Sequence, residues 1–255
     1  YIVQTGEYDK KLGKVIVTLN ADGTEKENIR LIDKKSAMTM VEDPDMVKIV
    51  KEISANQAKI TETIVGKTDV KLVGDRAVVR TGESNLADLL TDAMLWKTGA
   101  DIALTNGGGI RSSIDVGDIT RGEVIQVLPF GNYVIVQELT GADVIAALEN
   151  GTAGYPSQHG AFSQVAGIKY SFDPSKPVGQ RIVSVIMANG ESIDKNKTYK
   201  VATNDFIAAG GDLYVMFKGK KVVGNYEGLD EILTAYIASG AKAKDGVDGR
   251  VKVIN

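Results

Sequence analysis

The stretch Ile102-Ala103-Leu104-Thr105-Asn106-Gly107-Gly108-Gly109-Ile110-Arg111 opens as an apolar run and ends on an amide, three glycines and a guanidinium. The run is short enough for a buried strand, expected over residues 101–105, that feeds a loop without Cβ atoms. Bare backbone lets a ligand approach closely. Asn106 adds a donor and an acceptor, and Arg111 adds a five-donor cation. That chemistry suits an anionic, hydroxylated ligand such as a nucleotide. A flexible connector with a solvated arginine fits the glycines equally well, so the loop needs its neighbours.

Before this stretch, Asn85 to Trp96 carries apolar residues at three-and-four spacing, with Gly99 placed to end a helix. Tyr133–Leu139 reads as a strand, with Thr140 as the N-cap of a helix over 142–150. Further strands are expected at 168–172, 182–187, 199–203 and 251–254, and a last helix at 229–239 before Gly240. Toward the start, Lys14–Leu19 is a β-branched strand and Tyr1–Gln4 a shorter one, with a turn at Ala21-Asp22-Gly23. After Pro44, residues 46, 47, 49, 50, 53, 60 and 64 form an apolar stripe at helical period. Gln57 breaks that stripe, which predicts a long exposed connector helix. The fold class is α+β: mixed β-sheets with flanking helices, preceded by a long linker helix.

Composition removes several functions. With 255 residues there is enough chain for a sizeable core, and a net charge of −3 gives no bulk attraction to nucleic acid. There is no cysteine, so disulfides, thiolate catalysis and cysteine-held metals are excluded. A single histidine, His159, sits in the polar stretch 155–160 and reads as a loop residue rather than a metal ligand. No apolar run reaches bilayer-spanning length. The chain starts at Tyr1, without an initiator methionine or signal peptide, and is expected to be a piece of a longer protein. Trp96 is expected to pack in or at the rim of the core.

Three more clusters bear on chemistry. In Arg76-Ala77-Val78-Val79-Arg80, an extended backbone would put both guanidiniums on one face toward a single anion; two surface charges are the plainer alternative. Leu128-Pro129-Phe130-Gly131-Asn132 holds a loop phenylalanine that either offers a stacking face or folds into the core. Asn204 to Asp212 follows the strand 199–203. It puts Phe206 and Asp212 at a strand end, where ligand sites of mixed α/β proteins gather. Asp212 suits a ribose diol, or satisfies backbone donors of its own turn. Together the clusters offer two rings, two amides, a carboxylate and arginines, without a nucleophile or a histidine base.

In this order the motifs resemble the C-terminal substrate-binding domain of the 5'-nucleotidase family, which includes bacterial UDP-sugar hydrolases and ecto-5'-nucleotidases. The matching motifs are Arg80 ahead of Asn85-Leu86, Asn106 to Arg111, Pro129 to Asn132, Gly160-Ala161-Phe162-Ser163-Gln164, and Asn204 to Asp212. The resemblance implies that Phe130 and Phe206 clamp a nucleobase and that Asp212 holds ribose hydroxyls. It implies that Asn106, Asn132 and backbone near Gly160 contact the nucleoside, and that Arg80 and Arg111, with help from Arg76, bind phosphate. It also implies a domain plan. Residues 1–20, through Gly6–Gly13, resemble the last strands of an N-terminal metallophosphoesterase domain. Residues 21–66 would be a linker with an interdomain helix over 44–65, and residues 67–255 the substrate-binding domain. Two divalent metal ions are implied for that N-terminal domain; in this chain no catalytic residue, cofactor or metal site is expected. The expected partners are a nucleotide or nucleoside and the N-terminal domain, in an extracytoplasmic location. The alternatives are the same domain of a 2',3'-cyclic-nucleotide phosphodiesterase/3'-nucleotidase, or a non-catalytic nucleotide-binding module.

Overall fold

A computed structural model describes residues 3–6 and 10–254. Residues 1 and 2 of the expected first strand, and residues 7–9 of the 6–13 motif, lie outside the described residues. The chain divides into two compact units, Tyr1–Gln57 and Ala58–Asn255.

In the first unit, β1 (Lys11–Leu19) and β2 (Glu25–Asp33) pair antiparallel in unbroken register from Lys11 opposite Asp33 to Leu19 opposite Glu25. The expected strand at 14–19 is thus one arm of a hairpin. Its return arm, β2, lies in the stretch expected as linker. Glu25-Lys26-Glu27-Asn28 gave no strand signal, because charged residues that face water on both sides do not alternate. A one-turn helix, α1 (Lys34–Ala37), follows under an Asp33 cap. Then comes α2 (Pro44–Thr61), which buries no residue, as its broken stripe predicts. It stops short of Ile64, which pairs with Thr120 in a strand instead.

The second unit opens with β3 (Ile64–Thr68), α3 (Arg76–Val79), α4 (Asn85–Thr98), β4 (Ile102–Asn106), β5 (Gly117–Thr120) and α5 (Arg121–Val127). It continues through β6 (Tyr133–Thr140), α6 (Gly141–Thr152), β7 (Ser163–Ala166), β8 (Ile168–Phe172) and β9 (Ile182–Met187). It closes with β10 (Thr198–Asn204), α7 (Asp205–Ala208), β11 (Val222–Gly228), α8 (Leu229–Ala238) and β12 (Val251–Val253). The expected ends at Gly99 and Thr140 are found, and Ser84 adds a cap that the sequence reading did not name. Ser84 accepts from Ala87 N at the start of α4, and Gly99 ends it at φ 63°. Thr140 and Asp143 form a reciprocal capping box on α6.

The central sheet runs β11-β6-β10-β4-β7, with β10 and β4 parallel and the other pairs antiparallel. Smaller sheets, β12-β8-β9 and β3-β5, complete the mixed α+β arrangement. Both faces of the central sheet are covered. Along β4, Ala103 joins a core with Leu86, Leu90, Ile232 and Leu233, while Ile102 and Leu104 join one with Val144, Leu148, Phe162 and Phe217. A strand buried on two faces is apolar at every position, which is why Ile102-Ala103-Leu104 reads as a continuous run. Trp96 is 51% exposed and lies 5.5 Å from the Tyr236 ring, so it is a rim residue.

This topology gathers loops of the chain at one edge of the central sheet. Asn106 and Asn204 end two parallel neighbours. The antiparallel strands β6 and β7 begin at that same edge, where Asn204 pairs with Val134 and Asn106 with Ser163. Four loops therefore meet at one end of the sheet: 107–111, 129–132, 153–162 and 205–213.

Candidate functional site

The glycine loop is a tight 3-10 turn over Gly107–Gly109 rather than a floppy connector. Its glycines are needed for close approach, not for positive φ. A Cβ on Gly107 would sit 1.8 Å from the Val79 carbonyl oxygen, and one on Gly108 would sit 2.9 Å from that of Gly160. The turn is stitched to the loop before β7: Gly107 N donates to Phe162 O at 2.8 Å and Gly108 N to Gly160 O at 2.7 Å. That loop is held from beneath by Tyr214, whose Oη donates to Ala161 O at 2.6 Å. Burial pushes the Tyr214 hydroxyl far above its ordinary pKa, so it remains a donor.

Arg80 is placed by β7. The buried Gln164 amide donates to Val79 O at 3.0 Å and to Gly82 O at 2.7 Å, fixing the chain on either side of Arg80. The extended segment expected over 76–80 is instead the helical turn α3, with Val78 N and Val79 N both bonded to Asp75 O. Spacing of four in a helix still puts Arg76 and Arg80 on one side. Arg76 nevertheless is exposed and does not line the cavity that Arg80 enters.

A chain of amides sets the carboxylate. Asn204, 2% exposed, uses Oδ1 to accept from Ile207 N at 2.8 Å, capping α7. Its Nδ2 donates to Thr105 Oγ1 at 3.1 Å and to Asn106 Oδ1 at 3.2 Å. Asn106 Nδ2 in turn donates to Asp212 Oδ2 at 2.8 Å. Each step forces the next, because a reversed amide would set oxygen against oxygen. Among the described residues the Asp212 carboxylate thus takes its hydrogen bond from Asn106 rather than from backbone donors of its own turn. Asn150 Nδ2 holds its carbonyl at 3.0 Å, and Asp212 and Leu213 lie at φ 49° and 65°, where side chains other than glycine are rare.

These segments enclose a cavity of about 450 Å³ lined by Arg80, Asn106, Gly108, Gly109, Arg111, Phe130, Asn132, Gly160, Phe206 and Asp212. Eight of the nine residues singled out from the sequence are in that lining, and Arg76 is the exception. Gly108 and Gly109 join them. Phe130 and Phe206 are 60% and 44% exposed, so neither ring folds into the core. The Arg111 guanidinium lies 5.6 Å from the Phe130 ring centre and donates to Gly108 O at 3.3 Å. Sequence reading missed Asn150, Asn204 and Asp205 as support for the site. For Asn204 and Asp205 the available signal was their place directly after a strand; Asn150 gave none.

The cavity thus brings together two exposed rings, two guanidiniums, two amides and one carboxylate. Among the described residues, no group of three or more His, Asp or Glu is placed to hold a metal ion. His159 is a half-buried loop residue whose backbone N donates to Arg80 O at 3.2 Å.

Comparison with known proteins places the chain in a family. A family model described as 5'-nucleotidase, C-terminal domain, matches residues 64–219. The chain belongs to this family. It is 39% identical to the trifunctional nucleotide phosphoesterase protein YfkN of Bacillus subtilis, over 99% of this chain and 18% of that protein. It is 31% identical to a snake venom 5'-nucleotidase of Gloydius brevicauda, over 98% of this chain and 46% of that one. Among solved structures, the 5'-nucleotidase precursor of Thermus thermophilus superposes with a TM-score of 0.80 at 38% identity, covering 99% of this chain and 52% of that one. The chain thus spans about half the length, or less, of these relatives. The 5'-nucleotidase C-terminal domain fold carries the cavity at the end of its central sheet. No helix among the described residues is long and apolar enough to cross a membrane.

Proposed function

We propose that this chain is the nucleotide-binding, specificity-giving part of a longer 5'-nucleotidase that converts nucleoside 5'-phosphates to nucleoside and phosphate. The observation that carries this reading is the convergence of residues from five separate segments on one cavity between two exposed phenyl rings. Phe130 and Phe206 take the base by stacking. Asp212, aimed by Asn106, accepts from the ribose hydroxyls. Arg80 and Arg111 receive the phosphate as charge-assisted donors. Bound this way, the nucleotide is oriented for attack by groups elsewhere in the longer protein, and orientation is this chain's contribution to rate.

Residues 1–20 fit the same picture as the closing strands of a preceding metallophosphoesterase domain, whose two divalent metal ions would supply the activated water. Likeness to a venom enzyme supports an extracytoplasmic location. The name of the Bacillus relative, a trifunctional nucleotide phosphoesterase, favours a second reading, in which the longer protein accepts more than one kind of nucleotide ester. A phosphate-release assay tests the division of labour. The chain alone, given AMP and Mg²⁺, Mn²⁺ or Zn²⁺, is expected to release none, whereas the longer protein containing it releases phosphate. Robust metal-dependent hydrolysis by the chain alone would contradict the proposal.

A further inference from the structure

We infer that Asp205 makes this site selective for nucleobases that carry an exocyclic amino group. The inference rests on the nucleotide reading above and deepens it. Asn132 lines the cavity beside Phe130 and Phe206, whereas Asp205 does not. Asn132 Nδ2 donates to Asp205 Oδ1 at 2.7 Å. The same carboxylate oxygen accepts from Phe206 N at 3.0 Å, so the carboxylate is itself fixed to the backbone that carries one ring of the slot.

An asparagine side chain is ordinarily ambiguous, because its oxygen and nitrogen exchange places by a simple flip. Here the flip is forbidden, since it would press a carbonyl oxygen against a carboxylate. Asn132 must spend an N–H on Asp205. It keeps its carbonyl oxygen, which no protein donor takes among the described residues, together with its second N–H. The free edge of the amide is therefore anchored by an acceptor. A base with an amino group next to a ring nitrogen, such as adenine or cytosine, offers the matching donor and acceptor. A base with an oxo group at that position sets oxygen against oxygen. Asn132 is half-buried, and an amide of fixed polarity that reads an amino group discriminates by on the order of tenfold. Asp205 is thus a positioning residue: it touches no ligand and acts by fixing the polarity of Asn132.

Calorimetric titration of this chain with AMP and IMP, which differ by amino against oxo on the same ring, tests the inference. The wild type is expected to favour AMP by on the order of tenfold. Asp205→Asn, which accommodates either amide orientation, is expected to bring the ratio close to one, and Asn132→Ala to do the same. General disturbance of Phe206 would weaken both nucleotides equally and leave the ratio intact, so the ratio isolates the polarity effect. Equal binding of AMP and IMP by the wild type, or an unchanged ratio in Asp205→Asn, would overturn the inference while leaving the nucleotide site standing. Failure of any nucleotide to bind would overturn the site reading and this inference together.

Discussion

Arg250 and Asp212 sit in two clusters of like composition and opposite purpose. Arg250, 8% exposed, donates to Asp92 Oδ2 and Asp248 Oδ2, both at 2.7 Å, to Val165 O at 3.1 Å and to Thr91 Oγ1 at 3.2 Å. Its Nε lies 3.4 Å from Asp88 Oδ1. Donors and acceptors are consumed within the chain, and the cluster clasps the end of the chain at β12 to α4. At the cavity, among the described residues, the Asp212 carboxylate takes one side-chain hydrogen bond, from Asn106, and lines the open space. Polar groups that the chain satisfies itself hold the fold together. Polar groups that it aims but leaves open are available to a ligand.

The largest effect expected from this contrast is on the closed cluster. Arg250→Met strands three carboxylates, one of them buried, and is expected to lower stability by about 3–5 kcal/mol in urea denaturation. Nucleotide affinity, measured where the variant is still folded, should stay within about twofold. A large loss of affinity with little loss of stability would reverse the roles assigned to the two clusters.

Asp88 sharpens the same point through pH. Burial, reinforced by the neighbouring Glu83 charge and opposed by Arg250, pushes its carboxyl up to about 7. Between about pH 4 and 7 the folded state thus holds a proton that the unfolded chain has released. This contribution is fully present below the ordinary carboxylate value and is lost as pH rises through 7. Asp248 works in the opposite direction, since hydrogen bonds from Lys244 and Arg250 hold it below its ordinary value. Asp88→Asn should gain on the wild type as pH rises, by on the order of a few kcal/mol across that window. Parallel stability–pH curves for the two proteins would show that Asp88 is not the group involved.

The smallest effect concerns backbone strain at the open site. Leu213 is 71% exposed and held at φ 65°. Leu213→Gly should raise stability by about 1 kcal/mol, the relief of a left-handed backbone partly offset by unfolded-chain entropy. Thermal denaturation reads this directly, and destabilisation would show that the leucine packs usefully.

Much of this architecture was legible where one physical signal dominated. Helix α4 has a stripe and a terminal glycine, and β4 is apolar throughout because both of its faces are covered. β7 was not legible. Two of its four residues, Ser163 and Gln164, are buried polar groups, satisfied by Tyr214 and by the Val79 and Gly82 carbonyls. Only the folded partners explain their burial. At the site, ring and arginine types pointed to the ligand class, but the Asn204–Asn106–Asp212 relay exists only because β4 and β10 pair in parallel and end together. Arg76 and Arg80 were read in an extended frame. The helical turn leaves one of them at the cavity and the other outside its lining.

The most direct test of the central claim is a calorimetric titration of this chain with AMP, alongside Phe130→Ala and Phe206→Ala. Both rings are exposed, so neither truncation should cost much stability. Each is expected to weaken binding by roughly tenfold or more, since stacking on one aromatic ring contributes about 1–3 kcal/mol per base. Unchanged AMP affinity in both variants would contradict the assignment of this cavity as a nucleotide site.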